Sequence, residues 1–115
     1  MKLFFRVRSG QRDRQTDFER IGSIINAVDA AMASAKKEGA ALKLRLKDAQ
    51  DLASMAVGTG GDEYLEREVK DQVRIAEYER QLIAGDKRTK ELDAQIDNLK
   101  ALDALLRERF PDFTK

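Results

Sequence analysis

The chain has no cysteine and no histidine. Without Cys there is no disulfide, no thiolate nucleophile and no Cys-ligated zinc. Without His there is no imidazole base, no Ser-His triad and no His-ligated metal. Di-iron bundles built on Glu-x-x-His fall for the same reason. Catalysis would have to rest on carboxylates, Lys, Arg, Tyr or hydroxyls, so the expectation is that the protein is not an enzyme and carries no cofactor or metal. Tryptophan is absent, and the single proline is Pro111, so nothing breaks a helix between about residues 15 and 110. No long apolar run is present, and the expectation is no membrane span. Met1-Lys2-Leu3-Phe4-Phe5 is interrupted by Arg6 and Arg8 with no small-residue cleavage site after it, which argues against a signal peptide and for the cytoplasm.

What remains is a highly charged chain. Asp, Glu, Lys and Arg make up 37% of its 115 residues, the net charge is +1 and the mean hydropathy is −0.58. A near-neutral chain has no strong global field for nucleic acid. Apolar residues at 42% are too many for a disordered chain and enough for an amphipathic one.

Residues 1–15 read as an extended basic arm. Leu3, Phe5 and Val7 alternate with Lys2, Phe4, Arg6 and Arg8 at the period of a strand, and Ser9-Gly10 reads as a turn. Thr16 or Asp17 is the expected cap of a first helix spanning about residues 16–58. From there apolar or small residues recur at alternating steps of three and four: Phe18, Ile21, Ile25, Val28, Met32, Ala35, Gly39, Leu42, Leu46, Ala49, Ala53 and Ala56. A heptad seam of that length indicates helix-on-helix packing of the coiled-coil type. Leu42-Lys43-Leu44-Arg45-Leu46-Lys47 alternates like a strand, but the helical pattern on both sides outweighs it.

Gly58-Thr59-Gly60-Gly61-Asp62 is the strongest break, with Gly58 suited to end one helix and Asp62 to cap the next. A second helix over about 62–110 follows, with a seam at Ile75, Tyr78, Leu82, Gly85, Thr89, Leu92, Ile96, Leu99, Asp103, Leu106 and Phe110. Near the turn, Leu65, Val69, Val73 and Ala76 suggest that the seam slips in phase. Gly85 falls in phase on both sides, which favours a continuous helix. Residues 111–115 form a tail. The fold class is all-α: a long antiparallel two-helix hairpin, coiled-coil-like, expected to dimerise into a four-helix bundle.

Folding about residue 60 sets residue i opposite roughly 120 minus i. Leu46 then meets Ile75, Ile25 meets Ile96, and Ala35 and Gly39 face Leu82 and Gly85 across a thin waist. The same register leaves Leu105, Leu106, Phe110 and Phe113 beyond helix one, to be covered by the arm.

Apolar residues off the seams mark contacts with a second copy or a protein partner: Ile24, Leu44, Leu52, Met55, Ile83, Leu102 and Leu105. Two basic groups stand out. Arg6, Arg8, Arg12 and Arg14 would let an arm reach nucleic-acid phosphates, or merely keep a terminal strand from aggregating. Lys36, Lys43 and Lys47 share a face of helix one, as a docking stripe or as a solvated face. Asp103–Arg107, Glu63–Arg67 and Glu66–Lys70 have the spacing of ion pairs within a helix.

The size and outline are similar to small secreted helical-hairpin proteins with a Trp-x-Gly turn. This chain has no Trp and turns at Gly58-Thr59-Gly60-Gly61, so the likeness is architectural and carries no function. The sequence points to a non-enzymatic module for protein–protein contact, as adaptor, scaffold or accessory subunit. The alternatives are a nucleic-acid-associated protein using the basic arm, or a small export chaperone.

Overall fold

A computed structural model describes residues 9–57 and 64–113. Helix α1 runs Gly10–Val57, helix α2 runs Tyr64–Arg109, and a single 3₁₀ turn, Pro111–Phe113, follows. The two helices pack as a hairpin, which bears out the all-α two-helix fold. The strand-like arm through Arg8 and the turn with its caps at Gly58 and Asp62 lie outside the described residues.

α1 starts earlier than the Thr16 or Asp17 expected. Ser9 is its cap: the Arg12 backbone N–H donates to Ser9 Oγ at 3.1 Å, and the Asp13 N–H closes the first turn on the Ser9 carbonyl at 3.0 Å. Asp13 lies in the first turn, where the helix dipole favours an acid. Thr16 is instead inside the helix, its hydroxyl bonded back to the Arg12 carbonyl at 3.1 Å. Ser9-Gly10, read as a turn, is the helix start, and Arg12 and Arg14 belong to α1 rather than to an arm. α2 passes through Gly85 unbroken, as the phase of its seam implied.

The hairpin comprises two compact units, Ser34–Ile96 and Met1–Ala33 with Asp97–Lys115. In the unit Ser34–Ile96, Leu46 is packed against Gly85: a Cβ added to that glycine would lie 2.8 Å from Leu46 Cδ1 and 2.9 Å from its Cγ. At Gly39 the facing side chain is Leu92, with Cδ1 at 4.0 Å from such a Cβ. The numbers of both pairs add to 131, not 120, which overturns the expected register. Two requirements account for the difference. In antiparallel helices each layer pairs a first-type seam position with a second-type one, which allows sums of 124 or 131 but not 120. At 124, Gly39 would face Gly85 and leave a void, while Leu46 would crowd Tyr78. At 131 each glycine receives a leucine, so the layers fill. The thin waist expected at Ala35, Gly39 and Gly85 does not form; two large-on-small contacts, Leu92 on Gly39 and Leu46 on Gly85, take its place.

Half-buried and buried residues in this unit follow the seams expected from sequence: Ala35, Gly39, Leu42, Leu46, Ala49 and Ala53 on α1, and Ile75, Tyr78, Leu82, Gly85, Thr89, Leu92 and Ile96 on α2. Of the residues that suggest a phase slip near the turn, Val69 and Val73 do not join the seam, Ala76 is half-buried, and the Leu65 side chain lies outside the described residues. Asp71 continues the seam, and Val69 and Val73 are exposed at 61% and 63%. At a sum of 131 Val57 is level with residue 74, so α1 offers nothing opposite the first turns of α2.

The other unit has its own core at Ile25 and Val28, with half-buried Ile21, Met32, Leu99, Leu106 and Phe110 around it. Phe18 packs against Phe113 with ring centroids 6.0 Å apart, and Phe110 meets Phe113 edge-on at 6.3 Å. This pairing, also adding to 131, corrects the expectation that Leu106, Phe110 and Phe113 lie beyond helix one. Leu106, Phe110 and Phe113 are half-buried while Leu105 is exposed, and the expected cover by the arm through Arg8 lies outside the described residues.

If Leu46 on Gly85 selects the register, Gly85→Leu should destabilise the hairpin by about 1–3 kcal/mol through overpacking, despite a gain in helix propensity. The swap Leu46→Gly with Gly85→Leu keeps one large and one small residue in the layer and should recover part of the loss. Thermal unfolding followed by circular dichroism reads both; equal loss in the single and swapped variants would contradict the packing argument.

Candidate functional site

The described residues build two kinds of surface feature: ion pairs that tie the helices together, and apolar side chains that neither helix covers. In the unit Ser34–Ile96, Arg88 grips Glu38 through two bonds. Arg88 Nε donates to Glu38 Oε2 at 2.7 Å and Nη2 donates to Oε1 at 3.0 Å, while Nη1 reaches Glu91 at 3.5 Å. The Arg88 hydrogen bonds hold the Glu38 carboxyl below its ordinary value, with partial desolvation opposing and the charges of Arg88 and Arg45 adding to the effect. The same bonds push the Arg88 guanidinium further up. This fork crosses between helices, so it opposes sliding as well as separation.

In the unit comprising Met1–Ala33 and Asp97–Lys115, Arg107 has the corresponding role. Its Nε donates to Asp103 Oδ2 at 2.9 Å, and its Nη2 lies 3.6 Å from Asp29 Oδ2 on α1. Asp103, followed by Asp29, raises the Arg107 value. Asp103 was read as a seam residue and as the partner of Arg107, and it is both. Its Oδ1 is buried with no hydrogen-bond partner, on the layer that Val28 shares. A polar group in one seam layer disfavours other registers, at a cost in stability.

Two shallow grooves lie in the unit Ser34–Ile96. One, of about 200 Å³, is lined by Lys36, Gly39, Ala40, Lys43, Leu92 and Asp93 among others. The other, of about 260 Å³, opens beside Ala53, Ile75, Tyr78 and Leu82. Lys36 and Lys43 thus flank one groove. Lys47 is exposed farther along α1. Among the described residues no group of three His, Cys, Asp or Glu side chains is placed to hold a metal ion.

The expected contact residues are all uncovered. Leu44, Met55 and Ile83 are exposed at 66%, 69% and 71%, and Leu52 is exposed as well, all in the unit Ser34–Ile96. Ile24, Leu102 and Leu105 in the other unit are exposed to 44%, 45% and 46%. Val69 and Val73, which the sequence assigns to the seam near the turn, are exposed too; with Arg80 and the expected Ile83 they lie on the face of α2 opposite its seam. Arg80 is held there by Glu77 at 2.7 Å. Of the basic set, Arg12 and Arg14 project from the first turns of α1 and are exposed; Arg6 and Arg8 lie outside the described residues.

Comparison with protein-family models, with curated proteins and with solved structures found no match. Among the described residues no helix is long and apolar enough to cross a membrane.

Because the folded Glu38 value lies below the ordinary 4.5, its contribution to stability is complete above that pH and is lost as pH falls through the folded value. Glu77, held down chiefly by its hydrogen bond from Arg80, acts in the same direction. Glu38→Gln should therefore flatten the acid limb of the stability profile without abolishing it, and added salt should narrow the difference because the pair is partly exposed. Chemical denaturation between pH 3 and 7 measures this; an unchanged acid limb would contradict the assignment.

Proposed function

We propose that this protein is a non-enzymatic helical interaction module, acting as an adaptor, scaffold or accessory subunit, and that it works as a homodimer in the cytoplasm. The observation that carries the reading is the distribution of apolar side chains. Among the described residues only Ile25, Val28, Ala35, Ala49 and Leu92 form the buried apolar core, whereas twice as many large apolar side chains are exposed. Scattered exposed leucines need no explanation, but repeated ones on one helix face do. The outer face of α2, with Val69, Val73 and Ile83, is exposed. A helix that carries a second apolar face has room for a second helix.

Recognition on this reading is apolar docking, with the surrounding ion pairs setting orientation more than affinity. The nucleic-acid reading would instead place the binding energy in Arg6, Arg8, Arg12 and Arg14, where phosphate contacts make binding strongly salt-dependent. The two are separated by a tagged pull-down from the source cells after nuclease treatment, washed at low and at high salt. The expected outcome is a discrete protein partner that survives high salt and is lost with Ile83→Asp or Val73→Asp. Recovery only without nuclease, or loss on adding salt and on replacing Arg12 and Arg14, would sink the apolar-docking reading. Light scattering of the purified protein should give twice the chain mass.

A further inference from the structure

The unit comprising Met1–Ala33 and Asp97–Lys115 has two unlike flanks. On one, Asp29, Arg107 and Asp103 close the groove between the helices with charge. The other carries Ile24, Ala27 and Ala31 on α1 and Leu102 and Leu105 on α2, and every one of these is exposed. Their seam phase puts them on a common side: each lies one residue before a seam position or two after one, on the flank away from Asp29. The register orders them along the helices. At a sum of 131, Leu105 is level with residue 26 and Leu102 with residue 29. A ridge of two leucines therefore stands beside a recess of two alanines at the same height.

We infer that this flank is the dimer interface, and that a second copy of the chain covers it about a two-fold axis parallel to the helices. The inference rests on the homodimer reading above and specifies its face. A parallel two-fold keeps heights unchanged and places α1 of each copy beside α2 of the other. Leu102 and Leu105 of each copy then seat on Ala27 and Ala31 of the other, twice over. Every neighbouring pair of helices in the resulting bundle is antiparallel, the arrangement of up-down four-helix bundles. A closed two-fold interface needs a surface complementary to itself, and a ridge level with its own recess supplies it.

The flank holds no charged side chain between Ile24 and Ala31 on this side of α1, so a second copy meets no unpaired buried charge there.

The test begins with the mass of the full-length protein by light scattering at micromolar concentration. A monomer would overturn the homodimer reading itself, and with it this interface. Given a dimer, Leu102→Glu with Leu105→Glu should shift it to the monomer mass, and Ile83→Glu on the outer face of α2 should not. Dimers that persist in the flank variant, or that dissociate only with Ile83→Glu, would refute the flank while leaving the dimer standing. Because a charged variant can fail by unfolding, a second measurement uses cross-linking in a chain that has no cysteine of its own. Mixed Ala31→Cys and Leu102→Cys proteins should form a disulfide-linked heterodimer under mild oxidation. A mixture of Leu44→Cys and Ile83→Cys should not, and the reverse result would refute the proposed geometry.

Discussion

Leu46 resting on Gly85 is the contact on which the arrangement of this hairpin turns. A heptad seam repeats, so two seams facing one another can be slid by a heptad and still set apolar residues against apolar residues. Differences in size and polarity between layers break that degeneracy. Gly39 and Gly85 are the two positions where size matters most, and the observed register gives each a leucine, Leu92 for the first and Leu46 for the second. One heptad away the glycines would face each other and the layer would be hollow, at the cost that voids impose on a close-packed interface.

Other features follow from that choice. The register brings Glu38 within reach of Arg88 and Asp29 within reach of Arg107, so the cross-helix charges reinforce what packing selects. It also brings Phe113 to Phe18, so the aromatic side chains near the end of α2 have a surface of α1 to rest on. At the opposite extreme it leaves the first turns of α2 with no α1 residue level with them, and Val69 and Val73 stay in solvent. Their exposure is thus a consequence of register, and it turns one face of α2 into a surface suited to another helix.

The Asp103–Arg107–Asp29 group contributes specificity at some expense. A carboxylate oxygen buried without a partner in the seam costs free energy that a leucine there would not. What it provides, in the unit comprising Met1–Ala33 and Asp97–Lys115, is asymmetry: one flank closed by charge and the other left apolar. Two unlike flanks can pair with a second copy in fewer ways than two like flanks, as specificity generally requires.

The existence of two helices, their seams from Phe18 to Ala53 and from Ile75 to Phe110, and the continuity of α2 through Gly85 were legible in the sequence. They depend on period and propensity, which are local. The start at Gly10 was also written there, in a serine three residues before Arg12, but the stronger signal at Thr16 and Asp17 masked it. Ile83 was legible as a residue off the seam, whereas Val69 and Val73 read as part of a shifted seam and are exposed. Register, and with it every cross-helix partner, was decided only in the tertiary structure. Sequence period determines which residues face inward; which of them meet depends on the shapes of two surfaces brought together, and a repeating pattern holds no memory of its own offset.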